Sequence, residues 1–414
     1  MALKKELSLF TATMYGVGII IGAGIYVLIG QGAAIAGNVV WLSFVIAALI
    51  AAFTGLSYAE LSGMFSKDAA EYVYTNRAFR RKWLSFIVQW IMIFTLIVSA
   101  TTVALGFGGY FSFLTGISPV AAAAGLLVVL SFINYIGMKE SSQFNVISTI
   151  IEMSGLLLII LAGILFFGKT PVDFFSASNG IAGIFSATAL IFFAYIGFEE
   201  LVNFSEETKN ASKVIPKALV LSLAISTLLY ILISVSSISL LGAEKLAASS
   251  APLTEVMTSV IPHAGVLMTL IALFATSNTV LAILIAVSRM LYGLARNNIF
   301  PAFCAKTGVR KTPYVSVFIV GLLALAFLLI GGIKTIALLT DVGIFIVYVF
   351  INASVIFLRY HQPRAKRTFR TPFSIGWLPV LPLLGIVSAL LMLLHFDPIL
   401  ILYEFGVAAV GVLG

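Results

Sequence analysis

The chain has little of the chemistry that enzymes and metal sites need. Its 414 residues include one cysteine, Cys304, and three histidines, His263, His361 and His395. A lone cysteine excludes an intramolecular disulfide and a cysteine-rich metal site, and the scattered histidines argue against a metal centre. The absence of a phosphate-binding glycine-lysine loop argues against an ATP-driven pump. No nucleophile and base stand in an active-site pattern, so we expect neither an enzyme nor a bound cofactor.

Charge is also scarce. Charged residues make up 10% of the chain and hydrophobic residues 61%, with a mean hydropathy of +1.13. So much apolar surface cannot be buried in one soluble core, which predicts an all-α polytopic membrane protein. About twelve apolar segments are each long enough to cross roughly 30 Å of hydrocarbon. They lie at residues 10–30, 39–61, 84–112, 120–137, 143–167, 184–204, 214–241, 265–295, 314–332, 335–358, 377–396 and 398–414.

The basic residues predict an orientation. With the N-terminus in the cytoplasm, only Lys169, Lys245 and Lys334 of the 24 Lys and Arg residues lie outside, as the positive-inside rule requires. The net charge of +8 follows from this topology, so nucleic-acid binding need not be invoked. We expect a multi-pass plasma-membrane protein surrounded by lipid, whose first helix is not a cleaved signal peptide. The last segment has no polar tail, which suggests that the native chain continues past Gly414.

Two of the predicted helices are interrupted. The first contains four glycines within residues 16–26, and the sixth contains Gly197 and two carboxylates within residues 192–200. Backbone that is opened inside a membrane is tolerated only against protein or a water-filled cavity, so these breaks predict a binding site and hence transport. For Gly18 and Gly22, four residues apart, the alternative is close helix packing.

The two breaks are five segments apart. An odd number of segments makes the second unit start from the opposite side of the membrane, which predicts an inverted repeat. Residues 1–167 would form the first unit, with helices 1 to 5, and residues 184–358 the second, with helices 6 to 10. Residues 377–414 would form a peripheral helix pair.

The breaks also predict the chemistry of the ligand. An opened helix 1 would direct N–H groups around Gly22, Ala23 and Gly24 at an anion such as a carboxylate. An opened helix 6 would offer carbonyls between Phe193 and Gly197 to an ammonium group. Together these groups describe an α-amino acid.

Carboxylates inside predicted helices are candidates for proton binding. Glu152 stands among apolar residues of helix 5, where a charge is costly, so we expect it to be protonated or paired. The alternative is a structural carboxyl bonded to a neighbouring carbonyl. Glu199 and Glu200 compete for the same role, whereas Asp341 and Glu404 are interpreted as boundary or hairpin residues.

A polar strip in helix 8, residues 274–279, contains Thr276 and Ser277. Such hydroxyls can bind sodium or hydrogen-bond a carboxyl on another helix. The alternative is that they only hold two helices together.

Four motifs carry a family resemblance: residues 18–26, residues 134–139, residues 193–199 followed by 206–210 and 215–216, and residues 274–301. The chain resembles the amino acid-polyamine-organocation (APC) transporter superfamily over nearly its whole length. The resemblance implies a leucine-transporter-like fold with a five-plus-five inverted repeat and discontinuous helices 1 and 6. It also implies secondary active uptake or exchange of amino acids by alternating access.

The resemblance implies roles for individual residues by motif position. Ile21 to Gly24 correspond to the loop that binds the substrate carboxylate, and Phe193 to a gating aromatic. Glu199 corresponds to a carboxylate linked to pH sensing in some exchangers. The implied substrate-binding set is Ile21, Gly22, Ala23, Gly24, Phe193, Ala194, Tyr195 and Gly197.

One position departs from the family pattern. Proton-coupled relatives have a lysine in helix 5 that bridges helix 1 and helix 8, and this chain has Glu152. A neutral carboxyl could donate to the Gly18 carbonyl and accept from Ser277 or Thr276, whereas an ionised one would repel that carbonyl. Glu152 is therefore hypothesised to be a proton-linked latch.

The expected function is proton-coupled symport of a small or apolar amino acid. A lack of several acidic residues along helices 3, 8 and 10 argues against a polyamine substrate. The alternatives are an exchanger without proton coupling and a sensor that binds an amino acid without transporting it. The oligomeric state is left open.

Overall fold

The computed structural model describes residues 7–22, 24–65, 70–137, 142–296, 299–308 and 312–413. These residues are mainly α-helical, with three 3-10 segments, Phe192–Tyr195, Phe198–Glu207 and Ala302–Ala305, and a two-stranded hairpin of β1 (Ser374–Ile375) and β2 (Leu378–Pro379). The helices are α1 (Leu9–Ile21), α2 (Gly24–Ala36), α3 (Val40–Met64), α4 (Ala70–Phe79), α5 (Lys82–Thr115), α6 (Pro119–Ile136), α7 (Ser142–Leu165), α8 (Gly180–Ile191), α9 (Ala211–Leu241), α10 (Ala243–Ala248), α11 (Pro252–Val260), α12 (Ala264–Arg296), α13 (Tyr314–Phe327), α14 (Ile333–His361), α15 (Val380–Leu393) and α16 (Pro398–Leu413).

The prediction of an all-α polytopic membrane protein is confirmed. Within the described ranges, nine segments are long and apolar enough to cross a membrane. The expected count of about twelve differs from this at the end of the chain. There, α13 has only 14 residues, and α15 and α16 meet the length only as a pair bent by 116°. A helix of 14 residues spans roughly 21 Å, which is less than the hydrocarbon thickness.

The central helix of the bundle is α5. Of its most apolar stretch 89% is buried, compared with 33% for α6, so α5 is enclosed by other helices and α6 faces lipid. Residues that favour helix ends separate the two: the left-handed Gly116 follows the last residue of α5, and α6 has Pro119 in its first turn.

Several helix contacts in the first part of the chain have counterparts in the second part. Helix α1 packs on α9 and α8 packs on α3, while α3 and α9 pack on each other. Helix α5 packs on α6 and α14, and α12 packs on α13 and α7. Helix α2 follows the first predicted break and α8 precedes the second, and these two helices also lie in contact.

The two ends of the bundle are distinguished by the residues that they hold. A cavity of about 340 Å³ is lined by Asn38, Thr170 and Lys245, among others, and another of about 450 Å³ by Ile35 and Lys334. Ile35 and Asn38 adjoin the end of α2, so we call this the Asn38 end. The opposite end holds the buried pair of Glu60 with Arg359 and Arg367, and we call it the Glu60 end.

Candidate functional site

The first interruption lies between α1 and α2. Helix α1 ends at Ile21, and the Gly22 N–H donates to the Gly18 carbonyl at 2.9 Å. Helix α2 begins at Gly24, and Ala23 lies outside the described residues. Since first-turn N–H groups have no acceptor within their own helix, this break provides donors at the start of α2.

The second interruption follows α8. The chain passes through the 3-10 turn Phe192–Tyr195, becomes extended at Ile196 and reaches Gly197 with φ 118° and ψ −20°. A positive φ of this kind favours glycine, which has no Cβ. Both interruptions predicted from the sequence are therefore present.

The two interruptions face each other at van der Waals distance. A Cβ added to Gly24 would lie 2.1 Å from Ala194 Cα, and one added to Gly197 would lie 2.4 Å from Ile19 Cγ2. Glycine is required at both positions because any side chain would overlap the opposite segment. The fold thereby brings together the described members of the predicted substrate-binding set, all buried: Ile21, Gly22, Gly24, Phe193, Ala194, Tyr195 and Gly197.

A tyrosine that the sequence analysis did not identify joins the two interruptions. The Tyr230 hydroxyl, from α9, lies 2.6 Å from the Ile20 carbonyl and 2.7 Å from the Ala194 carbonyl. A hydroxyl has one hydrogen to donate, so the two carbonyls share this donor. The only signal in the sequence was a tyrosine within an apolar helix, where a buried hydroxyl needs a partner.

Other buried tyrosines fix the surrounding helices. The Tyr26 hydroxyl donates to the Glu152 carbonyl at 2.7 Å, and the Tyr110 hydroxyl donates to the Tyr26 carbonyl at 2.8 Å. The Tyr195 hydroxyl donates to the Phe44 carbonyl at 3.0 Å. These bonds hold α2 against α5 and α7, and the second interruption against α3.

Glu152 lies beside the first interruption. It is fully buried, and its Oε1 accepts from Asn278 Nδ2 at 3.1 Å. Its Oε2 has no hydrogen-bond partner among the described residues. That oxygen would be 3.4 Å from a Cβ on Gly22, and Thr279 Oγ1 would be 2.3 Å from the same atom. The carboxyl therefore reaches from α7 to both α1 and α12.

The partners expected for Glu152 differ from those observed. Ser277 donates to the Leu273 carbonyl at 2.6 Å, and Thr276 donates to the Ala272 carbonyl at 2.7 Å. Both hydroxyls thus bond within α12, which is common for serine and threonine in helices, and Asn278 makes the contact instead.

The expected contact with Gly18 is also different. The Gly18 carbonyl accepts from Gly22 in a helical bond. A Cβ on Gly18 would lie 2.2 Å from Thr149 Oγ1, so it is Thr149 of α7, one turn before Glu152, that packs against this glycine.

Glu199 lies at the second interruption. Its Oε2 accepts from the Gly197 N–H at 3.0 Å and from the Tyr348 hydroxyl at 3.2 Å. Glu200 accepts from Asn203 Nδ2 at 3.3 Å. Glu199 therefore binds backbone that the break has opened, whereas Glu200 bonds to a side chain one turn further on.

A further carboxyl lies towards the Glu60 end. The rings of Tyr348 and Tyr58 are 6.1 Å apart, and the Tyr58 hydroxyl donates to Glu71 Oε1 at 3.0 Å. Glu71 belongs to α4, outside the membrane-spanning segments. Burial raises the pKa of Glu71, and the hydrogen bond from Tyr58 opposes that change.

Asp341 and Glu404, which the sequence suggested to be boundary or hairpin residues, lie inside the protein, with Glu404 on the second helix of the α15–α16 pair. Both are fully buried, and none of their carboxyl oxygens has a hydrogen-bond partner in the part of the chain that the structure describes. Each lies on a helix face that packs against the bundle, which segment-level hydropathy does not reveal.

The sequence is similar to transporters over almost its whole length. Residues 7–403 match the amino acid permease family. The chain is 31% identical to the branched-chain amino acid permease BcaP of Bacillus subtilis (strain 168), over 95% of this chain and 88% of that protein. It is 30% identical to the methylthioribose transporter of the same strain, over 93% and 87%. It is 26% identical to cationic amino acid transporter 4 of Mus musculus, over 87% and 61%.

These similarities agree with the resemblance seen in the motifs. They extend across both interruptions and through most of the predicted helices. The chain belongs to the amino acid permease family of the APC superfamily, and it is a multi-pass membrane transporter of amino acids and not an enzyme.

Proposed function

We propose that this permease carries a small or apolar amino acid across the plasma membrane together with a proton, by alternating access. One observation carries the proposal: the two opened helices meet, with Gly24 against Ala194 and Gly197 against Ile19. A backbone that offers donors on one side and carbonyls on the other suits a zwitterion.

The proposed binding set is the one that the motifs imply. Residues from Ile21 to Gly24 take the substrate carboxylate, and residues from Phe193 to Gly197 take its ammonium group. Because Gly24 and Ala194 are in contact in this structure, the substrate enters only when the two segments move apart. Tyr230, bonded to both segments, is placed to respond to that movement.

A small or apolar substrate is supported by the side chains at the breaks. Ile21, Phe193 and Ile196 are apolar and buried, so a charged substrate side chain would lose its hydration without a partner. The relative BcaP is named a branched-chain amino acid permease, and branched-chain amino acids have apolar side chains. The similarly related methylthioribose transporter makes methylthioribose a ligand that must be tested.

Proton coupling is supported by two carboxyls, one at each interruption. Glu152 lies beside Gly22, and Glu199 accepts from the Gly197 N–H. A neutral carboxyl can donate to a carbonyl, whereas an ionised one repels it. Protonation would therefore change which helix contacts are favourable, and this is the basis of a coupled cycle.

The inverted repeat and the orientation belong to the same proposal. The corresponding contacts of α1 with α9 and of α8 with α3 suit two units, residues 1–167 and 184–358, with residues 377–414 outside them. Lys245 and Lys334, two of the three basic residues that the predicted orientation leaves outside, line cavities at the Asn38 end. Because the other Lys and Arg residues, 21 of 24, belong to the opposite side in that topology, the positive-inside rule favours a cytoplasmic Glu60 end and N-terminus.

The test is transport in liposomes. Purified protein is first screened for stabilisation by the twenty amino acids and by methylthioribose, since a specific ligand raises the unfolding temperature. The best ligand is then offered to vesicles that have an imposed proton gradient and no internal substrate. Accumulation driven by the gradient alone supports symport.

Two other results contradict symport in different ways. Uptake that requires internal substrate and ignores the proton gradient indicates an exchanger. Ligand binding with neither uptake nor counterflow indicates a sensor. Stabilisation by methylthioribose but by none of the amino acids overturns the proposed substrate class.

A further inference from the structure

The last described helix places an acid inside the protein. Glu404 of α16 is fully buried, whereas its neighbours Leu402, Tyr403 and Phe405 are 63%, 51% and 64% exposed. Helix α16 packs on α5 and α14. Glu404 therefore lies on the one face of α16 that meets the bundle, and its position requires an explanation.

Glu404 and a hydroxyl of α5 both lie near a glycine of α14. A Cβ on Gly343 of α14 would lie 2.1 Å from Thr95 Oγ1 of α5 and 3.1 Å from Glu404 Oε1. Neither Thr95 Oγ1 nor either Glu404 oxygen has a hydrogen-bond partner among the residues that the structure describes. Because Gly343 has no side chain, the space beside it borders two polar groups of different helices that have no partner among the described residues.

Among the described residues, α5 and α14 bring no positive charge beside Glu404. Helix α5 presents Thr95, and the Trp90 indole donates to the Val407 carbonyl of α16 at 3.0 Å. Helix α14 presents Gly343, and its nearest titratable residue in sequence is Asp341, another buried acid. The buried arginine of α14 is Arg359, which is paired with Glu60. An ionised Glu404 would have no countercharge here, and a bare charge inside a membrane protein is costly.

We propose that Glu404 is a proton-binding site. A bond between Glu404 and Thr95 is not formed in the structure as described; a rotation of the two side chains into the space beside Gly343 would let the neutral carboxyl O–H donate to Thr95 Oγ1 and give both atoms a partner. Proton binding then holds α16 against α5 and α14, and loss of the proton weakens that contact. The inference goes beyond the proposed function, because it uses none of the residues assigned to substrate or to coupling.

Infrared difference spectroscopy tests the protonation directly. The full-length protein in lipid nanodiscs is compared with Glu404→Gln at neutral pH, in H₂O and in D₂O. The expected difference is the loss of one C=O stretch of a protonated carboxyl, with a deuterium shift. The matched control is Glu244→Gln, because Glu244 in α10 is exposed and its substitution should leave the C=O stretch of the buried carboxyl in place. Carboxylate bands in the Glu404 difference would overturn the proposal.

The role of Thr95 is tested separately, in variants that change Thr95 and retain Glu404. Thr95→Val removes the acceptor and should move the Glu404 C=O stretch to higher frequency, whereas Thr95→Ser retains the hydroxyl and should leave the stretch where it is. A structural role for Thr95 alone would not move this band. An unchanged band in Thr95→Val would overturn the assignment of Thr95 as the partner.

Discussion

Arg359 and Glu60 form a buried, bidentate ion pair. Arg359 Nε donates to Glu60 Oε1 at 2.9 Å, and Nη2 donates to Oε2 at 2.5 Å. The segment after α14 adds further donors to the same carboxylate, Arg367 Nε at 3.1 Å and the Thr371 N–H at 2.8 Å. One carboxylate of α3 therefore fixes both α14 and the segment that follows it.

We expect Glu60→Gln to destabilise the protein strongly. The substitution leaves Arg359 buried without its charge partner, and breaking a buried pair in this way costs about 3–5 kcal/mol. The measurement is thermal unfolding of the purified protein. Arg364→Gln is the control, because Arg364 is exposed. Equal unfolding temperatures for the two variants would contradict a stabilising role for the pair.

The contact between the interruptions makes Gly24 intolerant of a methyl group. In Gly24→Ala the new Cβ would overlap backbone at Ala194, which cannot move away as a flexible side chain can. Overpacking costs about 1–3 kcal/mol or more, and we expect uptake to be lost. Gly125→Ala is the control, since a Cβ there meets nothing within 4 Å. Uptake at the control rate would show that the segments do not pack as described.

Tyr230→Phe should impair transport more than folding. The variant keeps the ring and removes the hydroxyl that serves the Ile20 and Ala194 carbonyls. A buried group that loses its partner costs about 1–3 kcal/mol, so we expect reduced uptake by a protein that still purifies as a folded species. Tyr403→Phe, at an exposed position, provides the comparison. If both variants transport equally, Tyr230 does not couple the two segments.

The contacts of Glu152 distinguish the expected roles of two neighbouring residues of α12, Asn278 and Ser277. Asn278 donates to Glu152, whereas Ser277 bonds within its own helix. If Glu152 binds the coupled proton, Asn278→Ala should alter the pH profile of uptake in the same direction as Glu152→Gln, and Ser277→Ala should leave the profile unchanged. Profiles recorded in liposomes would reject the coupling role if Glu152→Gln retained the pH dependence of the unsubstituted protein.

The sequence predicted features that depend on local rules. The breaks at Gly22 and Gly197 could be predicted because glycines weaken a helix there, and opened backbone inside a membrane needs protein or a water-filled cavity beside it. Most of the spans could be predicted from hydropathy alone. The sequence did not predict Tyr230 as the bridge, Asn278 in place of Ser277, or the burial of Glu404. Each of these depends on which face of a helix meets which neighbour. One residue turns that face by about 100°, so composition without packing cannot decide it.

Glu71 should make stability depend on pH. Burial raises the pKa of Glu71 in the folded protein above the ordinary value of 4.5, which applies to the unfolded chain. At a pH between the unfolded and the folded pKa, the folded protein therefore binds more protons than the unfolded chain. Stability therefore falls as the pH rises through that window. Glu71→Gln cannot lose a proton, and its unfolding temperature relative to the unsubstituted protein should rise with pH until the folded carboxyl is ionised. The measurement is thermal unfolding across the acid to mildly alkaline range, with the exposed Glu244→Gln as control. A difference that stays constant or shrinks as the pH rises would mean that Glu71 does not titrate as a buried acid.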